Sequence, residues 1–301
     1  MGMYEILLLA VAIDVLLGEP PLLCHPVAIM GHLITFGRSC CEGRKNQVFS
    51  GISLLICTVG ITLLILGGIL FLIHPFPYVV QVFCYAFLLK TTFSIRYLHS
   101  AAMAVQTPLL EKNVGTARKK VSELVSRDTS TLSEEKIVSA ACESVAESLT
   151  DSIVAPLCWY LVFGLYGAFF YRAINTLDSM IGYEHLMIGT ASARADDIVN
   201  FIPARISGSL ILLSGAILGH DLKNGLNIFK RDRNNPESPN AGYTMAPVAG
   251  LLQVTFEKQG YYTLGDPIRQ LVPSHIHQAV SIVEGATLIF VLLISFMDVI
   301  I

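Results

Sequence analysis

Three carboxylates, Glu143, Glu147 and Asp151, stand at i, i+4 and i+8 in the run ESVAESLTDSIVAPL. On a helix that spacing lays them along one face, drifting by about 40° per step. Three acids on one face repel each other. Such a stripe persists where water bathes it or where basic partners or a divalent cation neutralise it. Mg²⁺ suits the pattern, because it takes one or two carboxylates together with phosphate oxygens. The plain alternative is a solvated helix face, which the abrupt turn to apolar sequence after Ser152 disfavours.

Further along the same stretch, 143–183, Arg172, Asn175 and Asp178 fall at i, i+3 and i+6 in YRAINTLDSMIGY. They form a second polar stripe, either a substrate-facing set or a hydrogen-bonded clamp between helices. A third constellation, Arg194, Asp196, Asp197, Asn200 and Arg205, precedes an apolar run over 206–219. Arginine is the residue type that grips phosphate or carboxylate in bidentate fashion. Ionisable groups at bilayer depth cost roughly 2.5–3.5 kcal/mol each on insertion scales and mark pathways or sites, so three such clusters point to a site more strongly than one.

Other pieces are weaker. His25-Pro26-Val27 follows Asp14 and Gly18-Glu19-Pro20, and a lone histidine is more often structural. Ser126-Arg127-Asp128-Thr129 binds an anion or caps a helix beginning near Leu132. His275 and His277 lack a third ligand and read as loop residues. The seven cysteines include no Cys-x-x-Cys pair, so neither a zinc site nor a disulfide frame is indicated. No Gly-x-x-x-x-Gly-Lys-Ser/Thr loop exists, so any nucleotide is bound some other way. A formal net charge of −3 says nothing about nucleic acid, and no basic, aromatic-interleaved stretch points to it, so none is expected as a partner.

The elements that must position these residues are membrane helices. The chain has 301 residues, 53% of them hydrophobic and 14% charged, against about 25% charged in soluble domains. Residues 52–73 carry no charge and are the firmest span. After Pro75 and Pro77, 78–93 reads as the return span, with Lys90 snorkelling near its end. Residues 279–301, holding Glu284 and Asp298, and 198–219 are further spans. The run 3–17 is shorter and contains Asp14; it lacks the basic leader and cleavage site of a secretion signal. The expected architecture is all-α: a polytopic helical integral membrane protein with roughly 4–6 spans, one domain over 1–301, and extramembrane segments at 94–136 and 220–272. The former is polar and helix-leaning; the latter, rich in Gly, Pro and Asn, reads as loop. Basic residues (Arg38, Arg44 and Lys45 before the first hairpin; Lys112, Arg118, Lys119, Lys120, Arg127 and Lys136 after it) place both flanks of that hairpin on the cytoplasmic face of the cell membrane. Lys223, Lys230, Arg231 and Arg233 add a third basic loop, which shares that face if 143–219 crosses an even number of times or re-enters without crossing.

Taken in order, DVLLGEPPLLCHPVAIMGHLI at 14–34, LVSRDTSTL at 124–132, ESVAESLTDSIVAPL, YRAINTLDSMIGY, RADDIVNFIPARI and SPNAGY at 238–243 resemble the CobD/CbiB family, the membrane-bound adenosylcobinamide-phosphate synthases of cobalamin biosynthesis. The resemblance covers nearly the whole chain. It implies an ATP-dependent amide ligation in which the free propionate carboxylate of a cobalt corrinoid, adenosylcobyric acid, is joined to the amine of (R)-1-aminopropan-2-yl phosphate or a related amino alcohol phosphate. Such ligations activate the carboxylate as an acyl phosphate. On that footing Glu143, Glu147 and Asp151 take the Mg²⁺ or the amine side. Arg127, Arg172 and Arg205 clamp phosphate or carboxylate, with Asp128, Arg194 and His25 beside them as binding residues. Asp178, Asp196 and Asp197 are further metal ligands or partners of the arginines, and Asn175, Asn200 and Asn240 position substrate. Lipid, corrinoid and amino alcohol phosphate are the implied partners, and oligomerisation stays open. The chain departs from the family pattern at Ser148, Ser152 and Tyr166, and at Thr244–Gly250, where the family commonly has an acid. The competing reading is a non-catalytic, AmpE-like membrane sensor or transport-associated relative.

Overall fold

The computed structural model describes residues 2–21, 25–41, 45–182 and 186–300. Arg44, counted in the first basic cluster, and Tyr183, at the end of the second polar stripe, lie outside the described residues, and the side chain of Asp298 is not described. The chain is all-α apart from one short hairpin, and its described residues form two compact units.

The first unit comprises the described residues of Met1–Ser94, Ala155–Asn200 and Asp298–Ile301, the last being the end of a helix that otherwise belongs to the second unit. It contains α1 (Met3–Leu17), α2 (Pro26–Cys41), α3 (Gln47–Ile73), α4 (Tyr78–Lys90), α8 (Ala155–Ile181), a 3₁₀ turn (Met187–Gly189) and α9 (Thr190–Val199). Asn46 caps α3, its side chain accepting from the Phe49 N–H, which satisfies one of the helix's orphan donors. The apolar window of α3 is only 17% buried, and Leu64, Phe71 and Leu72 point outward. Such a band suits lipid and not water. The inner stripe of α3 is small: a Cβ on Gly51 would come within 2.0 Å of the Ile188 carbonyl, so glycine permits that close approach. Two buried clusters hold the unit: Ile34, Leu54, Leu177 and Ile181, and Ala155, Tyr171, Ile174 and Val199. Helix α8 breaks its own regularity at Phe163 and Gly164, the latter at φ 62 and ψ −150, a left-handed setting open chiefly to glycine.

The second unit comprises Ile95–Val154 and Phe201–Met297. It contains α5 (Arg96–Leu110), α6 (Val114–Val121), α7 (Glu134–Leu149), a π turn (Thr150–Val154), α10 (Phe201–Ile217), α11 (Leu222–Asp232), α12 (Gly242–Leu252), the antiparallel strands β1 (Phe256–Lys258) and β2 (Tyr262–Leu264), and α13 (Ser274–Ile300). Ser133 caps α7 and Asp221 caps α11. Every residue of α12 except Tyr243 is buried, and α12 packs on α7, α10 and α11.

Three helical stretches, Gln47–Ile73, Glu134–Ile181 and Ser274–Ser295, are long and apolar enough to cross a membrane, or up to four if Met187–Val199 and Phe201–Ile217 form one broken span. Several sequence expectations change. The fourth run is interrupted at Asn200, between α9 and α10. The return span is a helix of 13 residues, about 20 Å at 1.5 Å per residue and short of a hydrocarbon core of roughly 30 Å. Lys90 does not snorkel: it is fully buried and ion-paired. The segment 220–272 is not loop but two helices and a hairpin. Its glycines serve packing, since a Cβ on Gly250 would meet the Gly225 Cα at 2.8 Å. The acidic stripe is not one straight face either, because Asp151 lies in the π turn. That turn rotates it away from the register of Glu143 and Glu147, a distortion found frequently at functional sites.

Candidate functional site

In the second unit, α7 carries Glu143 into a buried position, its side chain 6% exposed. A carboxylate there persists only if its lone pairs are met, and three partners meet them. Ser139, one turn earlier, donates to Oε1 at 2.5 Å. Arg127 Nη2 reaches the same oxygen at 3.3 Å while its Nη1 donates to the Glu257 carbonyl, also at 3.3 Å. The Tyr262 hydroxyl donates to Oε2 at 2.7 Å, and the Glu257 N–H closes the loop by donating to the Ser139 hydroxyl at 3.0 Å. Burial raises the Tyr262 phenol pKa well above 10, and the Glu143 charge and hydrogen bond raise it further. The hairpin is thus bolted to α7 through Glu143.

Beside this ring lies a pocket of about 160 Å³, lined by Leu124, Val125, Ser126, Arg127, Glu143, Ser144, Glu147, Lys258 and Tyr262. Of the acidic stripe, Glu143 and Glu147 therefore share one pocket. Asp151 is half-buried and is not among its lining residues. Asp128, next to Arg127, is exposed and accepts from the Ser130 N–H at 2.9 Å. That bond lowers its pKa, and Asp128 shapes its own turn.

A second basic centre in this unit is built on aromatic rings. The Arg205 guanidinium sits 3.5 Å from the Phe201 ring centroid and 4.1 Å from that of Tyr243, while Nη1 donates to Asn240 Oδ1 at 2.9 Å and to the Phe201 carbonyl at 2.6 Å. Arg233 lies 5.3 Å from the Phe229 ring, which meets Tyr243 edge-on. The SPNAGY segment can make this arrangement because a Cβ on Gly242 would lie 2.1 Å from the Arg233 carbonyl. Helix α12 links the two centres, since it carries Tyr243 and also Met245, whose sulfur is 3.7 Å from the Tyr262 hydroxyl.

The first unit gathers most of the remaining candidates into one chain of hydrogen bonds. Arg172 Nη1 donates to Asn175 Oδ1 at 3.3 Å, and Asn175 Nδ2 donates to Asp196 Oδ1 at 3.3 Å. Asn200 Nδ2 donates to Asp196 Oδ2 at 2.8 Å, and the buried Tyr171 hydroxyl donates to Asn200 Oδ1 at 3.0 Å. Arg194 is exposed on α9. Asp197 follows Asp196 directly, so the two stand about 100° apart around the helix and do not point together. The Asp178 carboxylate lies against Gly182, where a Cβ would sit 1.8 Å from Oδ1. His25 joins a separate ion cluster. Its Nε2 is 3.0 Å from Glu19 Oε2, which the Lys90 ammonium meets at 2.7 Å, and Lys90 is 3.4 Å from the buried Asp14. Burial raises the Glu19 pKa, but hydrogen bonds from His25 and Lys90 and the Lys90 charge outweigh it and bring the value down to about 2.

Sequence reasoning missed Tyr262, Lys258, Ser139, Tyr171 and the Asp14–Lys90 pair. The last had a signal, an acid and a lysine in two apolar runs. Tyr262 and Lys258 had none beyond the β-type alternation around them. Among the described residues, no group of three or more His, Cys, Asp or Glu is placed to hold a metal ion.

A family model described as CobD/Cbib protein matches residues 7–283. The chain belongs to the CobD/CbiB family. Full-length relatives agree. A cobalamin biosynthesis protein CobD of Dehalococcoides mccartyi is 40% identical over 96% of this chain and 95% of its own. A protein of Methanothermobacter thermautotrophicus, described as a probable cobalamin biosynthesis protein CobD, is 41% identical over 97% of both chains. One so described from Methanocaldococcus jannaschii is 40% identical over 86% of this chain and 87% of its own. No solved structure matches the chain. Membership in the CobD/CbiB family carries a role in cobalamin biosynthesis, and the family match takes in both polar centres of the second unit and the hydrogen-bonded chain of the first.

Proposed function

We propose that the protein joins the propionate carboxylate of adenosylcobyric acid to an amino alcohol phosphate in an ATP-dependent amide ligation. The observation that carries this reading is a pocket in which two carboxylates, Glu143 and Glu147, face two cations, Arg127 and Lys258, in a chain of the CobD/CbiB family. An amide ligation requires this mixture: cations for phosphate oxygens, and anions for an ammonium and for a metal that accompanies nucleotide.

The reaction divides into two transfers. The carboxylate oxygen takes the terminal phosphoryl group of ATP and ADP leaves. The amine nitrogen then forms the C–N bond, the carbonyl C–O bond to phosphate breaks, and inorganic phosphate leaves. The ammonium loses one proton before attack and one after it. Glu147, exposed at the pocket, is placed to receive the first. Glu143 serves instead as a fixed anion, its oxygens committed to Arg127, Ser139 and Tyr262. Arg127 neutralises phosphate charge, and Arg205, held flat between two rings and bonded to Asn240, offers a second rigid guanidinium for phosphate or carboxylate.

The donor set suits Mg²⁺. One exposed carboxylate beside a fixed one matches an ion that takes one or two carboxylates and completes its octahedron with water and phosphate oxygens. Glu147 would hold it, with the fixed charge of Glu143 one turn away, and when bound it would supply charge neutralisation to the nucleotide phosphates. Asp196, already accepting from two amides, orients Asn175 and Asn200. We further place the protein in the cell membrane with this pocket on the cytoplasmic side, on the strength of Arg118, Lys119, Lys120 and Lys136 in the same unit. Reaction of single-cysteine variants with impermeant thiol reagents in sealed vesicles tests that side.

The test of function is direct. Purified protein in detergent with adenosylcobyric acid, ATP, Mg²⁺ and 1-aminopropan-2-yl phosphate yields the amide with ADP and phosphate, and Glu147→Gln abolishes it. Absence of product with every amino alcohol phosphate tried favours a non-catalytic membrane relative.

A further inference from the structure

Helix α11 carries an outward face that neither polar centre of its unit uses. Leu222 and Leu226, at i and i+4, are exposed along one edge, and Lys223, Asn227 and Lys230 are exposed beside them, all within about 140° of the helix circumference. Gly225, Ile228 and Asp232 are buried on the opposite side, where a Cβ on Gly250 of α12 would meet the Gly225 Cα at 2.8 Å. One face seats the helix and the other is exposed. The Lys223 charge bears on Asp221, which caps the helix, and among the described residues neither Lys223 nor Lys230 stands in an ion pair. The place of α11 in the chain says what covers that face. Helix α10, the longer half of the fourth candidate span, has one exposed apolar stripe through Ile202, Leu213 and Ile217, at i, i+11 and i+15, of the kind that faces lipid. In sequence the exposed apolar residues run on through Leu218 to Leu222 and Leu226. Residues 218–221 join the two helices and would reach at most about 14 Å even when extended. They are not extended: Gly219 stands at φ 80, and the His220 N–H donates to the Gly215 carbonyl at 2.9 Å. A helix that begins so near the end of an apolar helix begins at headgroup level.

We propose that α11 is an interfacial helix that docks on anionic phospholipid, with Leu222 and Leu226 in the boundary between headgroups and acyl chains and Lys223 and Lys230 on headgroup phosphates. The residue types divide as that surface does. An in-plane helix sinks its apolar edge roughly 5–10 Å into the boundary, and its lysines reach back to phosphate along their apolar stems. Each lysine near an anionic surface adds about fivefold in affinity. Asp221 does not cancel them, because its carboxylate is committed within the protein, accepting from the Asn224 N–H and from the Gln253 amide, each at 2.9 Å. Phe229, on the same helix, meets the Tyr243 ring edge-on, so docking of α11 also fixes where the Arg205 centre stands relative to the bilayer.

The test uses the full-length protein. Delipidated in detergent, it is titrated with fluorescent phosphatidylglycerol or phosphatidylcholine; the wild type prefers the anionic lipid by about tenfold or more at low salt, and the preference shrinks as salt rises. Lys223→Gln with Lys230→Gln loses most of that preference. Lys223→Arg with Lys230→Arg keeps it, which separates loss of charge from damage to the helix, and Lys119→Gln on α6 leaves it unchanged. In nanodiscs of phosphatidylcholine and phosphatidylglycerol, Leu226→Trp adds to the emission of Trp159 a signal that brominated acyl chains quench. Asn227→Trp, about 100° further around the helix, adds one that they do not. Equal binding of the two lipids by the wild type overturns the proposal, as does a double Gln variant that keeps the preference, or Leu226→Trp emission indifferent to brominated lipid. If Leu222→Glu with Leu226→Glu turns a dimer into a monomer in detergent, the face belongs to a second copy of the chain and the proposal falls.

Discussion

Tyr262→Phe and Glu143→Gln, singly and together, test whether the hairpin and α7 are one electrostatic unit. Tyr262→Phe keeps the ring and deletes a hydroxyl 2.7 Å from Glu143 Oε2. Hydrogen bonds to charged groups contribute about 1.5–3 kcal/mol. Tyr262 is half-buried beside a pocket, so water replaces part of the bond and the lower end, about 1.5 kcal/mol, applies. Glu143→Gln removes the charge opposite Arg127. Breaking a fully buried pair costs about 3–5 kcal/mol, but the Arg127 side chain is 18% exposed and keeps its bond to the Glu257 carbonyl. That brings the expectation to about 2 kcal/mol. If the ring acts as a unit, the double variant loses about 2.5 kcal/mol rather than the additive 3.5, a coupling of about 1 kcal/mol. The assay is denaturant unfolding in detergent, followed by tryptophan and far-UV signals. Single effects that add to within about 0.4 kcal/mol would refute the network.

Other perturbations follow from the same geometry. Lys90→Met strands the buried Asp14 carboxylate and destabilises the protein by about 3 kcal/mol, whereas Lys90→Met with Asp14→Leu recovers much of the loss, as thermal unfolding in detergent will show. Gly51→Ala drives a methyl to within 2.0 Å of the Ile188 carbonyl and costs about 2–3 kcal/mol by the same assay, while Gly60→Ala, which meets nothing, is near neutral. Tyr262, with its folded-state pKa raised above 10 by burial and then by Glu143, contributes stability that is full below pH 10 and is lost as pH rises through the folded value. In tyrosinate absorbance titrations, the Tyr262→Phe difference therefore shows one tyrosine ionising later than the rest. Glu19 has the opposite sign. Its pKa, lowered from 4.5 to about 2, makes its stabilisation full above pH 4.5 and lost as pH falls towards 2, so Glu19→Gln flattens the acid limb of a stability profile.

What the sequence revealed, and what it hid, follows from the range of the interactions. The span within Gln47–Ile73 was legible because residues 52–73 run uncharged and predominantly apolar, a stretch with no other stable use. The stripe at Glu143 and Glu147 was legible because helical periodicity is local. The π turn at Asp151 was not, since one extra residue per turn leaves no mark in composition. Helices α11 and α12 were hidden for a different reason: glycines such as Gly225, Gly242 and Gly250, read as loop signals, are there to let backbones touch. Lys90 looked like a snorkelling end residue because its partners, Asp14 and Glu19, lie more than seventy residues earlier. Tyr262 and Lys258 were invisible as site residues for the same cause, as their partner Glu143 and the pocket wall come from a helix more than a hundred residues away.

The measurement that tests the central claim most directly is ligation by the purified, full-length protein, read by mass as the amide of adenosylcobyric acid and 1-aminopropan-2-yl phosphate. Stoichiometric ADP, dependence on Mg²⁺, and loss of product with Glu147→Gln are the predicted result. An intact, folded protein that binds neither ATP nor the phosphorylated amine, and forms no amide from any amino alcohol phosphate, would contradict it.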